Sequence, residues 1–556
     1  MACSVLEFLL MEKSWIVQPE ASRDLKVQLL LNRGISNPSS TDKFLKPYLS
    51  ELPEVESQLP QIELAVERIK KAIKEKELIY VYGDFDVDGI TGTAILWETL
   101  DLLGAKVMPY IPHRELEGYG IHTEALQKLA KEGARVVISV DCGITATEQA
   151  KIAEKLGIDL IITDHHEPSE ALPDPFALLH TTDLAGSGVA FRLSEALLDS
   201  FNKSKDEQFF KNLELATIGT VADMVPLVES NRIIVKNGLP LLAKSGRVGL
   251  QALYEQASLY KNIGTGQIGF VIAPRLNAMG RMEHALDSLR LLLTRKKDRA
   301  MSLAQKLSTI NEQRQEATQD ALLHAKDKVE EEFNGAKMIV VDHASYTQGV
   351  IGLVASKLVE KFYRPTAVIS VGQELSKGSA RSIAGFHITD ALRQSQKYLE
   401  NFGGHPMAAG FSIQKNNIEK FREKMVKYAE KSLTSKDLIP ILKIDARLPQ
   451  SNINEDILSL VREFEPFGVG NPEPTFLAEG FKILEARTVG AAGKHLKMLL
   501  AGQNGQILDA ICFSSEKDCP AAGSFIDAVY NLSEDTWHGD KRLQLKVKDF
   551  RNSSVV

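Results

Sequence analysis

The chain has 556 residues, of which 44% are hydrophobic and 25% charged, the composition of an ordinary folded globular protein. This length exceeds what a single hydrophobic core accommodates and predicts about three or four domains. The formal net charge of −7 argues against a protein that coats nucleic acid indiscriminately, while leaving room for a local basic groove.

The location of the protein is constrained by its cysteines and apolar segments. The four cysteines (Cys3, Cys142, Cys512 and Cys519) are scattered without metal-binding spacing, which favours a reduced, cytoplasmic compartment. No apolar run approaches the length needed to cross a bilayer. The apolar start at residues 1–10 lacks a basic leader and contains Glu7, so we expect neither a signal peptide nor a membrane partner.

Strand and helix patterns alternate over the first half of the chain. We predict strands at residues 78–81, 106–111, 136–140 and 160–163, and helices at residues 62–76, 123–132 and 189–199. Such alternation is typical of an α/β fold with a doubly wound parallel sheet. Residues 288–332 are charged and nearly free of glycine and proline, which predicts one long connecting helix.

A second α/β unit is predicted from residue 337, with a helix at residues 350–362 and a strand at residues 366–371. The glycine-rich stretch 403–410 would let backbone N–H groups approach a phosphate, or would form only a packing turn. The nearby Ser379, Arg381 and His405 favour a phosphate site, because an arginine fork and a hydroxyl suit a terminal phosphate.

The C-terminal part is rich in short strands. Strands are predicted at residues 441–444, 482–484, 495–500, 507–513, 526–532 and 543–547, which suits an OB-type β-barrel that binds single strands. Basic and aromatic side chains on this part are Lys494, His495, Lys497, Tyr530, Trp537 and Lys541. We therefore expect five segments: an N-terminal segment (1–60), an α/β catalytic domain (61–245), a helical connector (246–335), a second α/β domain (336–436) and the barrel (437–556).

Acidic and imidazole groups follow the predicted strands. Asp84, Asp86 and Asp88 come directly after the first apolar run, and strand alternation would direct all three to one side. Asp141 and the Asp164-His165-His166 run follow two later strands, and Asp223 follows an apolar helical stretch. Helix caps or turns explain any one of these groups, but the whole set favours a metal site. Carboxylates with one or two histidines suit Mn²⁺ or Mg²⁺ better than zinc.

The order Gly83-Asp84-Phe85-Asp86-Val87-Asp88-Gly89, Asp141-Cys142-Gly143, Asp164-His165-His166 and Asp223 resembles the DHH phosphoesterase superfamily. Residues 403–411 (Gly-Gly-His-Pro-Met-Ala-Ala-Gly-Phe) resemble the signature of the DHH-associated domain. Residues 274–281 and 466–474 resemble the RecJ family of bacterial single-strand-specific 5′→3′ DNA exonucleases. The resemblance implies two-metal hydrolysis of single-stranded DNA with a free 5′ end, releasing 5′-mononucleotides in DNA repair and recombination. A single-stranded-DNA-binding protein and a helicase are the partners it implies.

The resemblance also implies roles for individual residues. Asp86 and Asp88 would hold different ions with Asp141 bridging them, while His165 and Asp223 complete the second ion and Asp84 assists the first. His166 would face the substrate phosphate, with Asp164 orienting its neighbours. Arg275, Asn277 and Arg281, in a turn-like polar segment, would contact the substrate backbone. The terminal phosphate would be held by Arg114, Ser379, Arg381 and His405.

Two segments depart from the RecJ pattern. The stretch after His166 is short and lacks the usual Asn-Pro pair, and the usual Trp-His before Gly349-Val350 is missing. Both departures concern the substrate path rather than the metal ligands. The alternative functions are a DHH-family oligonucleotide phosphodiesterase, expected to be shorter and to lack the barrel, and a non-catalytic replication scaffold, expected to have lost ligands.

Overall fold

The computed structural model describes residues 13–203, 206–260, 263–332, 335–490, 493, 495–513, 517–535 and 542–554. The described chain separates into two compact units. The first unit is Pro38–Arg314 with Glu465–Pro472, and the second comprises the described parts of Met1–Asn37, Gln315–Phe464 and Glu473–Val556. The division into five segments stays a prediction.

The first unit is built on a parallel five-stranded sheet. In spatial order its strands are Lys106–Tyr110, Leu78–Gly83, Ala134–Val140, Asp159–Asp164 and Ala177–His180. All neighbouring pairs are parallel, as predicted. The chain order therefore reverses beside Leu78–Gly83, and ligands of such sheets bind outside the carboxyl ends of the strands at that reversal.

Both faces of this sheet are buried under helices. Because successive side chains of a strand point to opposite faces, Ile79 and Val81 lie in one core and Tyr80 and Tyr82 in the other. Helices Ile62–Glu75, Val87–Leu102, Gly186–Ser200 and Glu207–Ala222 contribute to the first core, and Thr123–Lys131 and Thr147–Lys155 to the second.

The remaining helices of the first unit show that one segment predicted to be a turn is helical. These helices are Pro38–Leu45, Val55–Gln58, Glu229–Leu242, Val248–Gln256, Thr265–Gln267, the π-helix Ile268–Ile272, Ala273–Met282 and Leu286–Leu293, followed by Lys297–Glu332, which continues into the second unit. The segment of Arg275, Asn277 and Arg281 is thus helical and not a turn.

The predicted single connecting helix is two helices. Thr294 has an extended backbone (ψ 137°), and its hydroxyl accepts a hydrogen bond from the Lys296 N–H, which replaces helical bonding at this point. Among the described residues, no helix combines the length and the apolar character required to span a membrane.

The second unit contains a mixed five-stranded sheet with strands, in spatial order, Leu399–His405, Ala408–Gln414, Leu375–Arg381, Thr366–Ser370 and Ile339–His343. The helices Gln348–Phe362, Ile388–Gln394 and Ile418–Ser432 accompany it. The glycine-rich stretch 403–410 forms an antiparallel hairpin in this sheet. A Cβ on Gly404 would lie 2.4 Å from the Ala408 carbonyl oxygen, so strand packing alone requires glycine there.

The C-terminal strands close into the expected barrel. Its strands are Phe476–Val489, His495–Ala501, Ile507–Cys512, Phe525–Asp535 and Arg542–Asn552, and the first pairs with both the second and the fourth. The predicted strand Ile441–Ile444 lies outside the barrel, because it pairs with Ser14–Val17 instead. Lys494, Trp537, Lys541 and residues 1–10 lie outside the described residues.

Candidate metal centre

The carboxyl ends of three adjacent strands bring the central acidic groups together. Gly83 pairs with Val140, and Val140 pairs with Thr163, so Asp84, Asp141 and Asp164 stand next to one another at the sheet edge. All three are almost fully buried, with 4%, 2% and 0% of their surface exposed. The carboxyl ends of these strands lie where the strand order reverses, which is the place where sheets of this type bind ligands.

The three carboxylates after the first strand converge by a turn and not by strand alternation. The strand ends at Gly83, and a helix begins at Val87. Asp86 is the helix N-cap, and its Oδ1 accepts from the N–H groups of Asp88 and Gly89. The expectation of a continuing strand is therefore wrong, because the cap starts the helix before Asp88.

Three groups of side chains could each hold a metal ion. Their ligand atoms lie within 4.8 Å of one another, and the groups are Asp84, Asp86 and Asp141; Asp88, His165 and Asp223; and Asp141, His165 and His166. Asp141 and His165 each belong to two of these groups, so the three groups adjoin one another. Asp164 belongs to none of them.

Unpartnered polar atoms support a cation at this place. His165 Nε2 lies 3.1 Å from Asp141 Oδ1 and 3.5 Å from Asp223 Oδ2. His165 Nε2, Asp141 Oδ1 and Asp84 Oδ1 are all buried without a hydrogen bond from the described residues. Buried polar atoms of this kind are costly unless a ligand compensates them, so the donor set fits divalent cations.

Glycines, which the sequence analysis did not single out, let two helices approach these carboxylates. A Cβ on Gly186 would lie 2.6 Å from Asp141 Oδ1, and one on Gly219 would lie 2.6 Å from Asp88 Oδ1. The Gly186 and Ser187 N–H groups donate to the Asp88 carboxylate at 2.6 and 3.0 Å. The N-terminus of the Gly186–Ser200 helix thus stabilises a buried anion.

Asp164 orients His166. His166 Nδ1 lies 2.8 Å from Asp164 Oδ1, and the ring nitrogen donates because a carboxylate only accepts. The same carboxylate accepts from the Ile144 and His165 N–H groups. Tyr119, which the sequence analysis also missed, places its hydroxyl 3.0 Å from His166 Nδ1 and donates to the Asp141 carbonyl oxygen.

Burial and mutual repulsion disfavour ionisation of the carboxyl groups when no cation is bound. Burial, followed by neighbouring carboxylates, raises the pKa of Asp84 and Asp141 well above the usual range and that of Asp223 to about 8. Burial lowers the pKa of His165, which favours the neutral ring that binds metals. For His166, burial is outweighed by the hydrogen bond and charge of Asp164, which raise its pKa to about 8.

The predicted substrate-binding residues of the first unit lie beside residues 84–87, where the strand Leu78–Gly83 is followed by the helix Val87–Leu102. Asn277 Oδ1 accepts from the Val87 N–H at the start of the metal-site helix. Arg275 donates to the Val271 carbonyl, and its buried Nε–H has no acceptor among the described residues. The Arg114 guanidinium lies 4.9 Å from the centre of the Phe85 ring.

The predicted terminal-phosphate residues of the second unit share one sheet. Ala408 pairs with both His405 and Arg381, which places those two side chains on the same face two strands apart. Arg381 donates to Ser379 Oγ at 3.1 Å. The structure therefore gathers these three side chains on adjoining strands.

Residues 465–472 support the segment that follows Asp223. The Leu227 N–H donates to the Val469 carbonyl at 2.7 Å, and Arg232 donates to the Pro466 carbonyl. Gly470 has a φ of +76°, and a Cβ there would lie 3.0 Å from Pro226. This part of the motif at residues 466–474 therefore packs against the chain next to a candidate ligand.

Three family profiles match the chain in order. They are the DHH family N-terminal domain at residues 78–220, the DHHA1 domain at residues 335–431 and the RecJ OB domain at residues 444–549. The single-stranded-DNA-specific exonuclease RecJ of Bacillus subtilis is 37% identical over 541 residues, covering 94% of this chain and 67% of that protein.

Solved structures agree with these matches. RecJ from Thermus thermophilus in complex with Mn²⁺ superimposes with a TM-score of 0.84 and 30% identity, covering 98% of this chain and 80% of that one. The Mg²⁺ complex of the same protein gives 0.78 and 29%, covering 97% and 78%.

We predict that the metal-free protein loses stability as the pH rises. The folded state holds the pKa of Asp223 at about 8, above the 3.8 of an unperturbed carboxyl, so ionisation opposes folding increasingly between these two values. Each such carboxyl contributes a slope of about 1.4 kcal/mol per pH unit. The melting temperature in a chelator should therefore fall from pH 5 to pH 8, and Mn²⁺ should restore it. Asp223→Asn should flatten the metal-free slope; an equal slope with and without Mn²⁺ would contradict the metal centre.

Proposed function

The chain belongs to the RecJ family, and from this membership we propose that it shortens single-stranded DNA from the 5′ end and releases 5′-mononucleotides. It is a metal-dependent exonuclease specific for single-stranded DNA. The observation that carries the proposal is the set of buried, mutually close aspartates and histidines at the strand-order reversal of the first sheet. A scaffold without activity would not need to keep these costly groups together.

The cofactor is Mn²⁺ or Mg²⁺, which the oxygen-rich donor set fits. When bound, a pair of such ions activates water for attack on a phosphodiester and stabilises the leaving oxygen. We assign Asp84 and Asp86 to one ion, and Asp88, His165 and Asp223 to the other. Asp141 would bridge them. In support of this role, its carboxylate groups with Asp84 and Asp86 and lies 3.1 Å from Nε2 of His165, a residue assigned to the other ion.

His166 is assigned to the substrate phosphate. Its Nδ1 is held by Asp164, which leaves Nε2 to face a ligand, and a pKa of about 8 favours the cationic ring at neutral pH. A cationic donor beside the reacting diester would stabilise the charge that develops on its oxygens. Arg275, Asn277 and Arg281 are assigned to phosphates of the bound strand, because they lie on the Ala273–Met282 helix, where Asn277 Oδ1 accepts from the Val87 N–H beside the metal centre. Arg114, beside the Phe85 ring, keeps its assignment to the terminal phosphate.

Ser379, Arg381 and His405 are assigned to the 5′-terminal phosphate. An arginine fork with a hydroxyl and an imidazole on one sheet face matches the oxygens of a terminal phosphate better than those of an internal diester. Recognition of a terminal phosphate would account for the requirement for an end. The barrel of the second unit would bind single-stranded DNA.

The cellular setting belongs to the same proposal. A 5′-end exonuclease of single strands serves DNA repair and recombination. A helicase that exposes single strands and a single-stranded-DNA-binding protein are its proposed partners, and the cytoplasm its proposed location. Its scattered cysteines suit that reduced compartment.

The polarity is tested with one oligonucleotide labelled at either end. With Mn²⁺ present, the 5′-labelled strand should release its label as a mononucleotide from the earliest time points. The 3′-labelled strand should instead give a ladder of shortening products on a denaturing gel. Early release of the 3′ label would show the opposite polarity, and release of neither label would show internal cleavage.

The bridging role predicts a severe loss in Asp141→Asn. The amide keeps the shape and tolerates the φ of +62° at this position, but removes the charge shared by both ions. We expect turnover to fall by about a thousandfold with an unchanged circular dichroism spectrum. Asp183→Asn, an exposed carboxylate after the last strand of the same sheet, is the matched control and should keep normal activity. A similar small loss in both variants would reject the bridging role.

The terminal-phosphate site predicts a change of preference in Arg381→Ala. Loss of a charge-assisted contact should reduce the ratio of kcat/KM for 5′-phosphorylated over 5′-hydroxyl strands by about 10- to 100-fold. Arg393→Ala removes an exposed arginine of the same unit and should leave that ratio unchanged. If Arg381→Ala slowed both substrates equally, the residue would not read the terminal phosphate.

A further inference from the structure

The π-helix Ile268–Ile272 exposes an aromatic side chain that the packing of the first unit does not use. Phe270 leaves 85% of its surface in solvent, more than any other large hydrophobic side chain in the described part of the chain. Ile268 and Ile272 are fully buried, so Phe270 points away from the core that these two residues enter. Single exposed rings are common on proteins, so the position of Phe270 has to indicate its ligand.

The helix that follows joins Phe270 to the metal centre. The π-helix continues without a break into the helix Ala273–Met282. A Cβ on Gly280 of that helix would lie 2.6 Å from the Phe85 carbonyl oxygen, so the helix contacts the chain between the candidate ligands Asp84 and Asp86. At a rise of 1.5 Å per residue, Phe270 lies about 15 Å along the helix from this contact.

The N-terminal side of the π-helix also adjoins elements of the metal centre. The Thr265 hydroxyl donates to the Phe467 carbonyl at 2.9 Å, and residues 465–472 pack against the chain that follows Asp223. The π-helix itself packs against the helix Glu207–Ala222, whose C-cap is Asp223. Phe270 therefore protrudes from a helix that is fixed to the surroundings of the candidate ligands at both of its ends. π-Helical turns occur frequently at functional sites.

The surroundings of Phe270 favour a nucleic-acid ligand. Arg275 and Arg281, which are assigned to substrate phosphates, follow on the same continuous helix. A Cβ on Gly266 or Gly269 would meet no atom within 4 Å, so the surface beside the ring is open. An accessible aromatic ring next to cationic groups is the combination by which proteins bind single strands without reading their sequence.

The distance from the metal centre determines which part of the strand reaches Phe270. Because stacked bases lie about 3.4 Å apart, the ring is about four nucleotides from the metal centre when the bases are stacked, and fewer when the strand is extended. An enzyme that releases mononucleotides from the 5′ end has only one nucleotide on the 5′ side of the attacked diester. Phe270 therefore faces nucleotides on the 3′ side, a step that rests on the proposed function.

We propose that Phe270 binds the substrate by stacking its ring on an unpaired base, a few nucleotides to the 3′ side of the attacked diester. Its role is in binding and not in catalysis, since it is remote from the reacting atoms. Every base has a π-face, so this contact holds the strand in place whatever its sequence. A base inside a duplex has both faces covered by its neighbours, and Phe270 thus adds to the preference for single strands.

The first test compares a long oligothymidylate with a thymidine dinucleotide, both 5′-phosphorylated, using the full chain with Mn²⁺. In Phe270→Ala the ratio of kcat/KM for the long strand over the dinucleotide should fall by about 5- to 150-fold, the range of base–aromatic stacking. The fall should lie mainly in KM, because a remote contact stabilises the bound and transition states equally. Phe270→Trp should keep the ratio, whereas Phe270→Leu, which is apolar but lacks a flat ring, should lose it.

Phe210→Ala is the matched control. Phe210 is a partly exposed phenylalanine near the end of the helix Glu207–Ala222 opposite to Asp223, and its loss should leave the ratio unchanged. Truncation at Phe270 removes a side chain that is almost entirely in solvent, so all variants should share one circular dichroism spectrum.

The second test places a single abasic nucleotide at successive positions from the 5′ end and follows release of the first nucleotide. In the unchanged protein, one position or two adjacent positions on the 3′ side of the first diester should raise KM. The same positions should have no further effect in Phe270→Ala, because the partner of the missing base is already absent.

Three outcomes would overturn the stacking role. They are an unaltered ratio in Phe270→Ala, full retention of the ratio in Phe270→Leu, and an abasic effect of equal size with and without the ring. An unaltered ratio would leave a protein partner as the ligand of this surface. Failure of the proposed function is a separate result, since the unchanged protein would then release no 5′-mononucleotide from either substrate.

Discussion

Mutual repulsion among buried carboxylates is the constraint on which the rest of the first unit depends. Asp84, Asp88 and Asp141 lie almost entirely out of water and close to one another, an arrangement that is unfavourable without compensation. The fold supplies part of that compensation through backbone N–H groups at two helix starts, which donate to Asp86 and Asp88. Divalent cations supply the remainder, so folding of this region, metal binding and chemistry are coupled.

The need to surround these carboxylates closely explains two features of the packing in the first unit. Gly186 and Gly219 are small so that two helices can touch the carboxylates directly, and any side chain there would displace a candidate ligand. The Glu465–Pro472 segment lies far along the chain from Asp223 yet packs against the residues that follow it. Positions distant in sequence therefore determine where a candidate ligand oxygen lies, and ligand placement within fractions of an ångström governs affinity for a metal.

The sequence by itself determined the α/β class and the barrel and indicated the candidate metal ligands, because apolar periodicity and the short-range order of aspartates are local properties. Asp84, Asp141 and His165 could be named in advance for that reason. Tertiary structure decided how they meet: a cap at Asp86 replaced the expected strand, Thr294 divided the expected long helix, and residues 403–410 paired as a hairpin. It also revealed Tyr119, Gly186 and Gly219. These depend on contacts between segments remote in sequence, and local patterns carry no information about which remote surfaces come within a few ångströms of each other.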